Sequence, residues 1–129
     1  MSVGMPAALH LDAFASHVWE VFGGPPYLVG SAQRLKRGWR DVDVRMIIDD
    51  DAWAAWGFEP ADSPHAFEFD AKWVALTLAF SSLGRAMTGL PIDFQIQPRR
   101  WANERHKGPR EALGMVPHRM ARLRAEPAR

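Results

Sequence analysis

Two aspartates one residue apart, Asp41 and Asp43, follow the Gly30-Ser31 pair, and a third, Asp93, lies in a later alternating run. Carboxylates two positions apart on an extended strand project from the same face, about 7 Å apart. If the strand carrying Asp93 lies alongside, a third carboxylate joins them. Like charges held so close repel and need compensation. A magnesium or manganese ion supplies it, because these hard cations take oxygen ligands and are bound through one or two carboxylates plus substrate phosphates. Such a site suits in-line displacement at phosphorus. Gly30-Ser31 serves the same chemistry. Glycine lets the backbone approach a phosphate closely, and the N–H groups of a following helix start, with the serine hydroxyl, can hold its oxygens. Arg34, Lys36 and Arg37 add positive charge nearby.

The flanking sequence must position these groups. Leu11, Phe14, Ala15, Val18 and Phe22 recur at helical spacing and predict a helix over 9–22, stopped by Gly23-Gly24-Pro25-Pro26. Tyr27-Leu28-Val29 reads as a short strand, and Ser31 as the N-cap of one or two helical turns. Over 40–48, Asp41, Asp43 and Arg45 alternate with Val42, Val44 and Met46, the pattern of a half-buried strand. Asp49, Asp50 and Asp51 are helix-start acids for a short helix through Trp53 and Trp56 that Gly57 ends. A longer helix is predicted from about 70 to 87, closed by Gly89 and Pro91. Over 91–97, Ile92, Phe94 and Ile96 alternate with Asp93, Gln95 and Gln97. Beyond Pro98, short helices are expected around 110–116 and 118–125. The expected fold is a layered α/β (α+β) domain: a small mixed sheet with one face covered by helices and an open polar face carrying the three carboxylates.

At 129 residues a single core is expected, with a body over 1–98 that carries the three aspartates and a basic extension over 99–129. The net charge of +1 hides an asymmetry: residues 99–129 hold nine Lys and Arg against three Glu, while residues 1–98 are acidic. A basic segment after an acidic body suggests an anionic partner. The absence of cysteine excludes disulfides and thiol catalysis. No apolar run reaches the roughly 20 residues of a membrane span, and no signal-peptide pattern opens the chain, so a cytoplasmic protein that does not enter the membrane is expected. The five histidines show no paired metal-ligand spacing, and neither a Gly-x-Ser-x-Gly turn nor a Gly-Lys-Ser/Thr phosphate loop occurs. Trp53, Trp56 and Trp73 read as core residues.

A strand ending in Gly-Ser, a short spacer, Asp-x-Asp on the next strand and one more Asp on a later strand resembles the DNA polymerase β-type nucleotidyltransferase superfamily, and within it the minimal nucleotidyltransferase-like domains. The resemblance covers about residues 9–98. It implies that Gly30 and Ser31 grip a nucleoside triphosphate, with Arg34 the nearest basic residue, that Asp41 and Asp43 bind magnesium (or manganese), and that Asp93 completes the metal site and serves the attacking hydroxyl. The activity it implies is transfer of a nucleoside monophosphate to an acceptor hydroxyl on a nucleic acid, a protein or a small molecule. Many relatives carry a basic residue directly after Gly-Ser and a serine before the aspartate pair; Ala32 and Arg40 stand there instead. Small domains of this kind also work with helical partner proteins. The alternative expectation is therefore an inactive module of the same fold, acting through its basic segment or such a partner.

Overall fold

The computed structural model of the chain describes residue 4 and residues 6–30 and 41–115. Among them are four α-helices and a four-stranded mixed sheet that does not close. Helix α1 (Ala7–Phe22) buries Leu11, Phe14, Ala15 and Val18, the stripe expected from its spacing. Strand β1 (Tyr27–Val29) follows. Strand β2 (Val42–Ile48) leads into α2 (Asp50–Trp56), then a single 3-10 turn (Phe67–Phe69) and α3 (Ala71–Thr88). Strand β3 (Ile92–Pro98) runs directly into α4 (Arg99–Arg105), and the two-residue β4 (Glu111–Ala112) follows.

The sheet order is β3-β2-β1-β4. β2 and β3 are parallel, whereas β1 is antiparallel to both β2 and β4. Alternation decides the faces. Val42, Val44, Met46, Ile92, Phe94 and Ile96 are buried beneath α1 and α3, where Phe14 meets Phe94 edge-on at 6.3 Å. Each such fully buried apolar side chain contributes about 1.5–3 kcal/mol relative to exposure. The helices approach closely because α3 carries Gly84 at the contact: a Cβ there would stand 3.0 Å from Ile92 and 3.1 Å from Phe14.

Helix α3 also blunts the outer edge of β3. Ser81 Oγ accepts from the Phe94 N–H at 3.0 Å, while Arg85 donates to Ile92 O at 3.1 Å and Trp73 to Ile96 O at 2.8 Å. An edge strand otherwise offers its unpaired backbone groups to other chains. Trp53 and Trp73 are core residues as expected, packed around Phe67, and Trp56 is half-buried against Phe22.

Three expectations need correction. The segment expected to be helical around 110–116 instead pairs Glu111 and Ala112 with Leu28 and Tyr27, and the fully buried Leu113 donates its N–H to Pro26 O at 2.9 Å. Long-range pairing has overridden local helical spacing. β2 begins at Val42, two residues into the 40–48 run, so Asp41 is exposed just ahead of the strand. The polar face is not open along its whole length: Ile47 and Gln97 on that face are buried, and α4 crosses the ends of β2 and β3. The helix expected over 118–125 lies outside the described residues.

Among the described residues, no helix is long and apolar enough to cross a membrane.

Candidate active site

Asp43 sits in the first half of β2 with its side chain on the face away from α1 and α3. Parallel pairing places Asp93 of β3 directly opposite it, and antiparallel pairing places Val29 of β1 on its other side. The chain then turns at Gly30, whose φ of +73° lies in the left-handed region that favours glycine. A Cβ at Gly30 would overlap Asp43 Oδ2, so the turn packs its bare Cα against that carboxylate. Gly30, Asp43 and Asp93 thus lie side by side across three neighbouring strands. Their separation in sequence gives no local hint of this.

Asp43 and Asp93 face each other in register across β2 and β3. Burial raises the Asp43 carboxyl above its ordinary value; Arg45 opposes that rise, while Asp93 and then Asp41 reinforce it. Asp41 therefore acts electrostatically on Asp43, but it is exposed and stands outside the strand. Among the described residues, no group of three or more His, Cys, Asp or Glu is gathered as a ready metal site. The structure brings together two of the three expected carboxylates. Ser31 and Arg34, the other expected phosphate-gripping residues, lie outside the described residues.

Sequence reading put Arg45 on the same face but gave it no role. Its guanidinium reaches across to β3, donating from Nη1 to Asp93 O at 2.7 Å and from Nη2 to Asp93 Oδ2 at 3.2 Å. The same Nη2 lies 3.6 Å from Asp43 Oδ1. This internal cation partly neutralises both carboxylates, whose side chains are 26% and 38% exposed and so remain within reach of a ligand.

The acidic run 49–51 is separate from this site. Asp50 and Asp51 occupy the first turn of α2, and Asp49 pairs with Arg99 at 2.7 Å, tying the end of β2 to the start of α4. The exposed His17 stands on α1, away from the carboxylates' sheet face.

A cavity of about 410 Å³ opens beside the Gly30 turn. Gly30, Asp43 and Arg45 form its sheet side; Arg105, Lys107 and Arg110 form the facing wall. Among the described residues, Asp43 is the one acidic residue that lines it, since Asp41 and Asp93 do not. The basic wall was missed as part of the site, although Lys107-Gly108-Pro109-Arg110 carried a usable signal: a Gly-Pro turn flanked by cations.

The fit to a divalent cation rests on donor chemistry. Two adjacent carboxyls supply hard oxygen ligands, the set magnesium commonly takes from a protein when phosphate completes its shell. Burial and mutual repulsion disfavour the charged pair without a cation. Asp43 and Asp93 therefore fit such an ion, with Asp41 at the edge. Comparison with known protein families, curated proteins and solved structures finds no match for this chain.

Proposed function

We propose that the chain is a metal-dependent nucleotidyltransferase, moving a nucleoside monophosphate from a nucleoside triphosphate to an acceptor hydroxyl. One observation carries the reading: an in-register pair of carboxyls beside a glycine turn, one of which, Asp43, lines a cation-walled cavity of small-molecule size. Asp43 and Asp93 would hold magnesium or manganese, and Asp41 would join them from the start of β2. When bound, the ion would stabilise negative charge on the transferring phosphoryl group and the pyrophosphate leaving group. The bare Cα of Gly30 lets the Asp43 carboxylate pack against the turn at the cavity's edge, and by resemblance Ser31 and Arg34 grip phosphate beside it. Asp93 would orient the acceptor hydroxyl and take its proton. Arg45, already beside both carboxylates, would hold them in position before the ion arrives.

Pyrophosphate release from each nucleoside triphosphate, in the presence of fractionated cell extract as acceptor source, tests this reading. The wild-type chain is expected to release it with magnesium, and Asp43→Asn to lose that activity while remaining folded. Equal release by both proteins would remove Asp43 from the chemistry.

A second reading is favoured by the Arg45 contacts, because they give both carboxylates a cationic partner without any metal. On that reading the chain is an inactive module of the same fold, binding a helical partner protein or another anionic surface through its basic segment. Binding that survives loss of Asp41 and Asp43 but not of the basic residues would favour it.

A further inference from the structure

We propose that the 105–110 segment is a polyphosphate-binding wall, holding the triphosphate of a nucleoside triphosphate through Arg105, Lys107 and Arg110. The identity of the phosphate as a nucleotide's rests on the transferase reading above; the anion site itself does not.

The segment is held over the site at both ends. Its start is the last residue of α4, which packs across β2 and β3. Its end enters β4, where Glu111 pairs with Leu28 and places Arg110 next to the β1 end that leads into Gly30. Beyond β4, the Gly114 N–H donates to Asp12 Oδ1 of α1 at 3.0 Å. Two of the three cations are oriented by neighbours that leave their charge intact. Arg110 donates to Asn103 Oδ1 at 2.8 Å and to His106 O at 3.4 Å, and the Arg105 guanidinium lies 5.2 Å from the Trp101 ring centre. The ion pairs among the described residues are made by Arg45 and Arg99, so none neutralises Arg105, Lys107 or Arg110. Across the cavity, Asp43 is the single carboxylate among the described lining residues and is already shared with Arg45.

Cations gathered on one wall of a cleft focus the field on an anion entering it. The volume decides which anion. About 410 Å³ suits a small molecule, whereas a nucleic-acid strand needs a continuous groove along its backbone. A compact polyphosphate, reaching from the Gly30 turn to the basic wall, matches both the charge and the space.

Calorimetric titration of the full chain with inorganic tripolyphosphate, without divalent metal and at low salt, tests the wall apart from the carboxylates. Wild type is expected to bind. The double variant Lys107→Ser/Arg110→Gln should weaken binding about 10-fold or more. Arg110→Lys should restore part of the loss when Lys107 is intact. Lys107→Ser alone, at an exposed position, should weaken binding without altering the melting temperature. Arg100→Ser, which removes an α4 cation outside this cavity, should change nothing. No binding by wild type, or equal binding by the loop variants, would overturn the proposal. So would displacement of tripolyphosphate by a single-stranded oligonucleotide at equal phosphate concentration, which would assign the wall to a nucleic-acid backbone. Because the titration contains no metal, it reads the wall alone: tripolyphosphate binding, together with no pyrophosphate release in the magnesium-containing nucleotide assay above, would support the wall and count against the transferase reading alone.

Discussion

Arg45 of β2 grips Asp93 of the neighbouring strand twice, through its backbone oxygen at 2.7 Å and its carboxylate at 3.2 Å. This pair fixes the spacing of β2 and β3 at the site and places a positive charge between two carboxyls that would otherwise repel. Arg45→Met is expected to destabilise the metal-free protein by about 1–3 kcal/mol, the range for losing charge-assisted hydrogen bonds. Magnesium should recover part of that loss, because an ion held by Asp43 and Asp93 replaces the missing cation. Urea unfolding with and without magnesium checks both statements. Destabilisation that magnesium leaves untouched would argue against a cation site at this pair.

Asp43 gives the pH dependence its sign. Burial raises its carboxyl, with Arg45 opposing and Asp93 and Asp41 reinforcing. A group whose pKa is raised on folding contributes stability below its unfolded pKa and loses that contribution as pH rises through the folded value. Asp43→Asn removes this titration. In a chelator, the stability of the variant minus that of wild type should therefore grow as pH rises from about 4 towards about 7. Denaturant midpoints across that range provide the test, and a difference that shrinks with rising pH contradicts the assignment.

Gly30→Ala should be costly for two reasons that act together. Left-handed backbone costs an L-residue roughly 1–2 kcal/mol, and the added Cβ overlaps Asp43 Oδ2. The carboxylate must move, so nucleotide binding should fall further than stability alone explains. Gly89→Ala is the control, since its φ is also positive but its Cβ would meet nothing within 4 Å. Similar binding by the two folded variants would remove Gly30 from the site.

Asp70 tests the frame rather than the site. It caps α3, accepting from the Lys72 N–H at 2.9 Å, and also accepts from the Glu59 N–H at 2.8 Å. The Glu59 bond leads in holding its carboxyl below its ordinary value, with Lys72 adding to it. Stability from a lowered carboxyl is present above the unfolded pKa and lost as pH falls through the folded one. Asp70→Ala should cost about 1 kcal/mol at neutral pH and progressively less in strong acid. Thermal melts at several pH values measure it.

The two alternating runs showed in the sequence because a strand's period of two is local: Asp43 beside Val42 and Val44, and Asp93 beside Ile92 and Phe94, declare their faces unaided. The helices of 7–22 and 71–88 were legible from their apolar spacing and their terminal Gly23 and Gly89. The pairing of Asp43 with Asp93 was not legible, since register across fifty residues is set by packing beneath α3 and not by either strand's own residues. The segment 110–116 misled because Ala112 and Leu113 suit a helix as well as a strand, and only pairing with Tyr27 and Leu28 decides between them. The same long-range pairing carries the basic residues back over the sheet, so a segment read as an extension becomes one wall of the cavity.

On the proposed reading, Asp43 and Asp93 together hold the divalent ion that a nucleoside triphosphate needs. Calorimetric titration of wild type, Asp43→Asn and Asp93→Asn with each nucleoside triphosphate, with and without magnesium, tests it most directly. Magnesium-dependent binding in wild type that both variants lose, with their folds intact, is the predicted result. Nucleotide binding that ignores magnesium, or that both variants retain at full strength, would contradict it.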